Sequence, residues 1–573
     1  MAKPPTEYDD KSIELHSHDG DRLAQHSEES LARRQEPEEF NPGWRFYLAF
    51  LSLTTITLMV ALDATSLSVA LPIIAQKLNG TAIQAFWSGT SFLLTSTVFQ
   101  PVIGSFSSIF GRKAMIYVSL VFFAAGAIVA AVANNFTIIL IGRSIQGVGG
   151  GGILALTEVL ITDMVPLKYR GNWFSFLSGA WAVGTVTGPL LGGGFSQKVN
   201  WRWIFWVNLP FVGLGAVLII LFLRLNYHNT AFWSKLCRVD WIGTTLFIAS
   251  LTGFLVPLSW GGVMYDWMSW RTLVPLITCG IGLIVFVVYE EWLSSTGAEP
   301  LIQFEVIKTR TGSVTYFATF IHGLLLWCLL YYMPFYYEAV KGFTPILAGV
   351  SLFPQTFTVA PASVVTGVVA AMLGRYRWAV WSGWFLTTVG MGILIFLDIN
   401  TTTPTWICLN IVGGVGCGFL FAAMSLAVQA SSSNKNMAYA VILFAFFRSF
   451  GQTVGVAIGG VVFQNVLRRK LEAIPYFAPR ALEYSKDSSA LVQIIKHMPA
   501  SLEKTQLLES YMAALRAIFI MCTALAAVAM VSSAWTEGFP LDRELETDQG
   551  FQHQARKSDE ELRPTTTASK TSK

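Results

Sequence analysis

The sequence predicts an all-α membrane protein that crosses the bilayer many times, and three observations carry this prediction. Of the 573 residues, 53% are hydrophobic and only 13% are charged, whereas soluble chains carry about a quarter charged residues. The apolar runs are mostly about 20 residues long, which is the length of a helix that spans a bilayer. They lack the alternation of membrane strands, so the backbone is expected to satisfy its hydrogen bonds as helices.

Fourteen apolar segments follow one another, and an even number places both termini on the same side. They lie near residues 45–66, 84–107, 114–134, 137–160, 172–195, 203–224, 239–259, 272–291, 313–337, 346–371, 377–397, 405–429, 438–464 and 512–535. Residues 1–43 are polar and acidic, as expected of a disordered tail. Residues 536–573 form a second polar tail.

The positions of lysine and arginine indicate the orientation, because these residues accumulate in short cytosolic loops. With a cytosolic N-terminus, twelve of them fall in inner loops and five in short outer loops. The long outer loop 465–511 adds seven more and opposes this bias. We predict that both termini are cytosolic. We also predict that the protein lies in the plasma membrane, with the vacuolar membrane as the alternative.

The chain contains an internal repeat. GTVTGPLLGG at 184–193 and GQTVGVAIGG at 451–460 match in their glycines, 267 residues apart. QGVGGGGILA at 146–155 resembles GGVGCGFLFA at 413–422 at the same offset. Repeated sets of membrane helices are typical of secondary transporters, whose binding site lies between the two halves.

The repeat defines the domain organisation. We predict an N-terminal six-helix bundle at 44–225, an inserted helix pair with cytosolic linkers at 226–311, and a C-terminal six-helix bundle at 312–535. The plan is therefore six, two and six helices.

Charged and amide side chains within apolar segments are candidates for coupling. Asp63 lies mid-segment, where an acidic residue costs at least ~2.5 kcal/mol and needs water or a partner. Arg143 cannot discard its charge, and Gln146 follows it by one turn. Each charged residue has two interpretations: a role in proton or substrate coupling, or a structural ion pair that holds helices together.

Three further side chains are weaker candidates. Arg448 precedes the second copy of the glycine repeat and belongs either to coupling or to a structural pair. Glu158 is either a second protonation site or a side chain that extends to the membrane surface. His322 is either a proton relay or a core histidine whose hydrogen bonds are satisfied.

Glycines predict helix packing. Gly184, Gly188, Gly192 and Gly193, with Pro189 among them, form a groove that admits a neighbouring helix. The string from Gly147 to Gly152 also matches GxGxxG, but no strand precedes it and it lies within an apolar helix, which excludes a dinucleotide site.

The loop between the second and third segments carries Gly104, Gly111 and Arg112. Arg112 is expected to pair with Asp163, which lies at the inner end of the fourth segment.

These motifs resemble the major facilitator superfamily, specifically its fungal fourteen-helix drug:proton antiporters, over residues 44–535. The resemblance implies two pseudo-symmetric bundles whose first and fourth helices line a central cavity, which makes Asp63 the natural partner of Arg143. It links Asp63 to substrate and proton coupling. The Gly-Pro motif of the fifth helix is more common in exporters than in importers. The gating loop usually has an acidic fifth residue, which is Ser108 here, so an expected charge contact is missing.

The expected function is proton-coupled antiport that exports amphipathic small molecules such as drugs, fungicides or secondary-metabolite toxins. Proton-coupled import, for instance of siderophores, and a non-transporting sensor are the alternatives, and sodium coupling stays open. No ATPase, zinc or kinase motif is present, so enzymatic activity is not expected. We expect no cofactor, no metal site and no nucleic-acid partner. The protein is predicted to be a monomer in the bilayer, with glycosylation candidates at Asn79, Asn135 and Asn400.

Overall fold

Long helices account for almost the whole of the described chain. The computed structural model describes residues 40, 42–78, 80, 82–226, 231–262, 264–486, 488–543, 547 and 549–551. Residues from Trp44 onwards form one compact unit, and the separate unit Met1–Gly43 contains only three described residues. No strand occurs among the described residues beyond two isolated bridges, which confirms the all-α prediction.

Fourteen helices occupy the predicted segments. They are α1 (Trp44–Lys77), α2 (Ala82–Phe110), α3 (Arg112–Ala131), α4 (Phe136–Met164), α5 (Leu167–Lys198), α6 (the short turn Trp203–Trp206 followed by Asn208–Phe222), α7 (Trp241–Trp260), α8 (Trp270–Ser295), α9 (Arg310–Phe335, continued by the π-turn Tyr336–Val340), α10 (Phe353–Leu373, preceded by Pro345–Ser351), α11 (Arg377–Leu394), α12 (Thr403–Ser431), α13 (Met437–Glu472) and α14 (Leu502–Ser533).

Thirteen of these helices are long and apolar enough to span a membrane. The exception is α11, which has 18 residues and begins with an arginine. It packs between α12 and α14, in the position that a fourteenth membrane helix would take.

The helices pack as two similar sets. In the first bundle, α1 packs on α5, and both α2 and α3 pack on α4. In the second bundle, α9 packs on α13, and both α10 and α11 pack on α12. The same pairs therefore meet in each half of the repeat. Contacts between the two bundles run mainly through α5 with α10 and through α2 with α13.

The helices α7 and α8 form a pair at the edge of the molecule. They pack on each other, and α7 also contacts α2 and α13. Only 11% of the most apolar stretch of α8 is buried by protein, so this helix presents its surface to lipid.

Glycines explain how closely the helices approach. A Cβ on Gly147 of α4 would overlap the Phe92 backbone of α2, and one on Gly414 of α12 would overlap the Gln355 backbone of α10. The two repeat copies therefore use glycine at the same helix crossing, where no larger residue fits.

The segment 465–511, predicted as a long outer loop, is helical over much of its length. Helix α13 continues to Glu472, and α14 already begins at Leu502, where Ser501 caps it by accepting a hydrogen bond from Lys504 N at 3.2 Å. Shorter helices, Ala481–Lys486 and Ser488–His497, lie between them. Apolarity marks only the part of a helix that lies in lipid, so helices that extend into water are longer than their apolar segments.

Candidate substrate cavity and buried ion pairs

A central cavity lies between the two bundles. Both bundles contribute to its walls. The first supplies Thr57, Leu154, Thr157, Glu158, Leu177, Ser178, Trp181, Ala182 and Thr185, and the second supplies Leu326, Trp327, Leu330, Gln355, Thr356, Val359, Phe421, Arg448, Ser449 and Gln452. Apolar walls with a few polar groups are typical of small-molecule sites.

Two tryptophans form part of the wall. The rings of Trp181 on α5 and Trp327 on α9 lie 6.4 Å apart at an interplanar angle of 37°. They come from different bundles, so their separation depends on the relative position of the two bundles. Neither residue was predicted as part of the site, because 19 tryptophans occur in the chain and nothing in the local sequence distinguishes these two.

Several polar atoms at the cavity wall are buried without a hydrogen-bond partner among the described residues. They are Thr57 Oγ1, Glu158 Oε2, Trp327 Nε1, Gln355 Oε1 and Arg448 Nη1. Buried polar groups are normally paired. This concentration around one cavity therefore indicates a place where water or a ligand completes the hydrogen bonding.

An ion pair between Glu158 and Arg448 crosses the cavity wall from one bundle to the other. Arg448 Nη2 donates a hydrogen bond to Glu158 Oε1, and both side chains are less than a tenth exposed. The guanidinium also stacks 4.7 Å from the centroid of the Phe421 ring. Glu158 therefore does not extend to the membrane surface. Glu158 on α4 thus pairs with Arg448 on α13, a contact that was not predicted from the sequence.

Asp63 and Arg143 meet, as the resemblance implied. Arg143 Nη1 donates to Asp63 Oδ2 at 2.5 Å, and Gln146 Nε2 donates to Asp63 Oδ1 at 2.8 Å. Asn208 Nδ2 on α6 adds a third donor to Asp63 at 2.8 Å. Asn208 was not predicted as a partner of Asp63, although an asparagine in an apolar helix indicates that a hydrogen-bond partner lies nearby.

The expectation that Asp63 and Arg143 line the cavity is not met. Neither residue belongs to its walls, and each is only 1% exposed. The hydrogen-bond partners of Arg143 (Asp63, Gln146 and the Ser88 carbonyl) all come from the first bundle. Position along α4 decides this, because Arg143 and Glu158 lie fifteen residues apart, about 22 Å along the helix axis, and only Glu158 reaches the space between the bundles.

His322 lies in the core of the second bundle. Its Nε2 donates to the Cys417 carbonyl at 3.1 Å, and its ring is 6.4 Å from that of Phe421. The histidine thus has a protein partner and is absent from the cavity wall.

The glycine groove of α5 receives α1. A Cβ on Gly184, Gly188 or Gly192 would overlap Ala61, Thr65 or Ser66 respectively. Gly193 faces Ile346 instead, and Pro189 lies against Gly349. Ile346 and Gly349 both belong to the Pro345–Ser351 helix of the second bundle. One stretch of α5 thus serves packing within a bundle and contact between bundles.

Arg112 and Asp163 pair as predicted. Arg112 Nε donates to Asp163 Oδ2 at 3.1 Å, and both side chains are buried. Arg112 Nη1 also donates to the hydroxyls of Ser107 at 2.6 Å and Ser108 at 3.2 Å. Gly111 has φ 100°, a conformation that favours glycine and lets the chain turn into α3. Gly104 lies against Ile442 of α13.

The glycosylation candidates differ in their surroundings. Asn135 is exposed and caps α4 by accepting a hydrogen bond from Ile138 N at 2.9 Å. Asn400 is exposed in the turn before α12. Asn79 lies outside the described residues. Within the part of the chain that is described, no cluster of His, Cys, Asp and Glu has the arrangement of a metal site.

Two helix bundles that enclose a cavity with buried ionic groups define a polytopic membrane transporter. A family model described as Major Facilitator Superfamily matches residues 53–456, and the chain belongs to this family. It is a transporter and not an enzyme.

Relatives and solved structures agree with this assignment. The chain is 59% identical to "MFS transporter L2" of Phoma sp. (strain ATCC 20986 / MF5453), over 91% of this chain and 87% of the relative. It is 32% identical to "Efflux pump FUS6" of Gibberella fujikuroi, over 92% of this chain and 95% of that protein. The human organic anion transporter MFSD10 has a similar fold, with a TM-score of 0.53, 14% identity and coverage of 85% and 98% of the two chains.

Proposed function

We propose that this protein exports amphipathic small molecules in exchange for protons. The observation that carries the proposal is the ion pair between Glu158 and Arg448, which joins the two bundles at the wall of the central cavity. Alternating access moves one bundle against the other. A carboxylate at that boundary links its proton occupancy to the relative position of the bundles.

The direction of transport is supported by two observations. Relatives that match over most of their length carry names such as efflux pump, and they come from fungi. The Gly-Pro motif of α5, which the resemblance links more often to exporters than to importers, packs on α1 through Gly184, Gly188 and Gly192. With both termini in the cytosol, substrate leaves the cell across the plasma membrane while protons enter.

The cavity walls support an amphipathic substrate. Leucines, valine, phenylalanine and the two tryptophan rings offer an apolar surface, while a few polar atoms lie among them. Such a mixture binds molecules with an apolar body and a small polar end. No ATP site is needed, because the proton gradient supplies the energy.

Transport in liposomes tests the proposal. Purified protein is reconstituted, a pH gradient is imposed, and the flux of tritiated cycloheximide and of fluconazole is followed; these probes carry no charge that the gradient itself would redistribute. We expect accumulation in the acidic compartment, against the direction of proton flow. Flux that ignores the gradient would refute proton coupling. Accumulation in the alkaline compartment would indicate import, and no flux above empty liposomes would refute export of this substrate class.

The two tryptophans in the cavity wall, Trp181 and Trp327, lead to a separate prediction. Trp327→Ala should raise the KM for the transported probe by about tenfold, because burying a large side chain against a ligand contributes about 1.5–3 kcal/mol. The matched control is Trp292→Ala on α8, since Trp292 is 59% exposed and lies outside the cavity. Equal KM values in the two variants would contradict the assignment of the cavity as the binding site.

A further inference from the structure

We infer that Glu158 is the carboxylate that exchanges the proton, and that the substrate binds by bridging Glu158 and Arg448. The inference rests on the proposed function and names both the coupling residue and the polar group that the substrate must present. Asp63, to which the family resemblance assigned coupling, becomes a structural residue of the first bundle.

The hydrogen bonds to the two carboxylates separate their roles. Asp63 accepts from Arg143, Gln146 and Asn208, so a proton on Asp63 would disrupt three contacts within one bundle. Glu158 accepts from Arg448 alone, and its Oε2 has no partner among the described residues. Protonation of Glu158 therefore breaks one contact, and that contact is among those that join the two bundles, as do Gln100 with Ser449 and Arg170 with Gln429.

The surroundings of the pair hold few other charges. From α9 the neighbouring titratable group is His322, which interacts with Arg448. The helices α2 and α12, which also pack near the pair, contain no acidic, basic or histidine side chain. On α5 the basic residues lie near the helix ends, at Lys168, Arg170 and Lys198. The charge of Glu158 is thus balanced by Arg448 alone.

The unpartnered atoms specify the ligand chemistry. Glu158 Oε2 can only accept a hydrogen bond while it is ionised, and Arg448 Nη1 can only donate one. Gln355 Oε1 adds another acceptor and Trp327 Nε1 another donor. A substrate that fits carries a donor and an acceptor on neighbouring atoms, as in an imide, an amide, a carboxylic acid or a hydroxy ketone. Its apolar body lies against the rings of Trp181 and Trp327.

Competition between substrate and proton then follows. Substrate binds the ionised form, because its donor needs the Glu158 carboxylate. A proton that arrives from the outer side goes to Glu158, removes this acceptor and separates the carboxyl group from Arg448. The substrate loses its polar contacts and leaves outward. When the proton departs into the cytosol, the pair forms again and the site is ready for the next molecule.

The test compares Glu158→Gln with wild type in the liposome assay. The variant should lose gradient-driven cycloheximide flux by about tenfold or more, since a charge-assisted hydrogen bond contributes about 1.5–3 kcal/mol. Cycloheximide counterflow without a gradient should be weaker than in wild type and should no longer fall as the pH is lowered, because glutamine lacks the carboxylate and cannot take up the proton. In infrared difference spectra, acidification should produce a carboxyl C=O band in wild type that Glu158→Gln lacks. Glu290→Gln, a change at a buried glutamate of α8 outside the cavity, is the matched control and should keep both signals.

The outcomes separate the inference from the proposed function. If wild type shows no gradient dependence, the proposed function fails. If wild type is coupled and Glu158→Gln stays coupled with its infrared band intact, only the inference fails. The ligand chemistry is tested with cycloheximide methylated at its imide nitrogen, which lacks that donor. We expect weaker competition from the methylated compound in wild type, and equal competition would overturn the assignment.

A different observation carries a second inference: the segment that follows α14 straps the two bundles together. Near α14 this segment lies on the second bundle, where Glu537 N donates to Thr311 Oγ1 at 3.0 Å and Arg543 Nη1 donates to the Ser432 carbonyl at 2.9 Å. We call the side of the molecule where α1 begins and this segment lies the terminal face.

Farther along, the segment lies on the first bundle. Thr547 Oγ1 donates to Asp163 Oδ1 at 2.9 Å, and Gln549 Oε1 accepts from Arg112 N at 3.0 Å. Gln549 Nε2 donates to the Ser108 carbonyl at 3.3 Å. The ring of Phe551 lies 5.9 Å from that of Phe46. The tail therefore contacts the loop at the very position where the usual acidic gating residue is replaced by Ser108.

We propose that this strap, described at residues 536–543, 547 and 549–551, holds the terminal face closed in place of the missing charge contact. Opening that face moves the bundles apart, which requires release of the strap from one of them. The expected consequence is that loss of the strap favours the state open at the terminal face.

Spin labels on the two bundles test the strap. With Cys237 and Cys408 replaced by serine, labels are placed at Lys168 and Lys435 on the terminal face. A chain that ends after Thr536 should give longer label distances than one that ends after Phe551, which is the matched control. Thr547→Ala with Gln549→Ala should shift the distances in the same direction in a full-length chain. Identical distributions in all three would overturn the proposal.

Discussion

Replacing Asp63 with alanine is expected to lower the free energy of unfolding by about 3–5 kcal/mol, because removal of one partner leaves a buried charge uncompensated. Arg143 is 1% exposed and would keep only Gln146 and the Ser88 carbonyl as partners. Arg143→Ala should have a similar effect by leaving the carboxylate unpaired. For a protein of this size we expect the temperature at which half of the detergent-purified protein stays monodisperse to fall by about 2–4 °C.

The double variant provides the control for this prediction. Residues within one ion pair show coupling energies of about 0.5–3 kcal/mol. The variant Asp63→Ala with Arg143→Ala should therefore be more stable than the sum of the single effects implies. Strict additivity would show that the pair contributes no mutual stabilisation. Gradient-driven flux per folded molecule should stay proton-dependent in Asp63→Asn if Glu158 carries the coupling.

Replacing Gly192 with leucine should cost about 3 kcal/mol or more, at the upper end of the range for overpacking. A Cβ at this position would overlap the carbonyl of Ser66, so any side chain forces α5 away from α1. The change is measured as loss of monodisperse protein after extraction and as a lower thermal midpoint.

Gly194→Leu is the matched control on the same helix, because a Cβ there has no atom within 4 Å. Replacing glycine inside a helix otherwise stabilises by up to ~1 kcal/mol. The control should therefore match or exceed wild type. Equal losses in the two variants would mean that the groove does not determine the α1–α5 packing.

The helical architecture could be predicted because lipid leaves the backbone few choices. Fourteen apolar segments appear as fourteen helices, and the glycines of the repeat appear at corresponding crossings such as Gly147 on Phe92 and Gly414 on Gln355. The contact between Arg112 and Asp163 was also predictable, because opposite charges at neighbouring helix ends in a nonpolar protein are expected to pair.

The arrangement of the cavity was less accessible. Glu158 and Arg448 were both predicted as candidate residues, but their pairing was not, because they are 290 residues apart and belong to different bundles. Asp63 and Arg143 were predicted to lie at the cavity, whereas their partners lie within the first bundle. Trp181 and Trp327 carried no local signal at all. Each of these features depends on where a side chain lies along its helix and on how far that helix is rotated about its axis, and an apolar helix carries little amphipathic pattern to indicate either.

The sequence by itself therefore determined the membrane class, the helices, the repeat and the presence of costly buried charges, since hydrophobicity and glycine spacing act locally along the chain. Only the tertiary structure decided which charges meet, which of them face the cavity, and that the C-terminal segment lies across both bundles. Those facts depend on the packing of helices distant in sequence, where a rotation of one residue step moves a side chain from the protein core to the cavity.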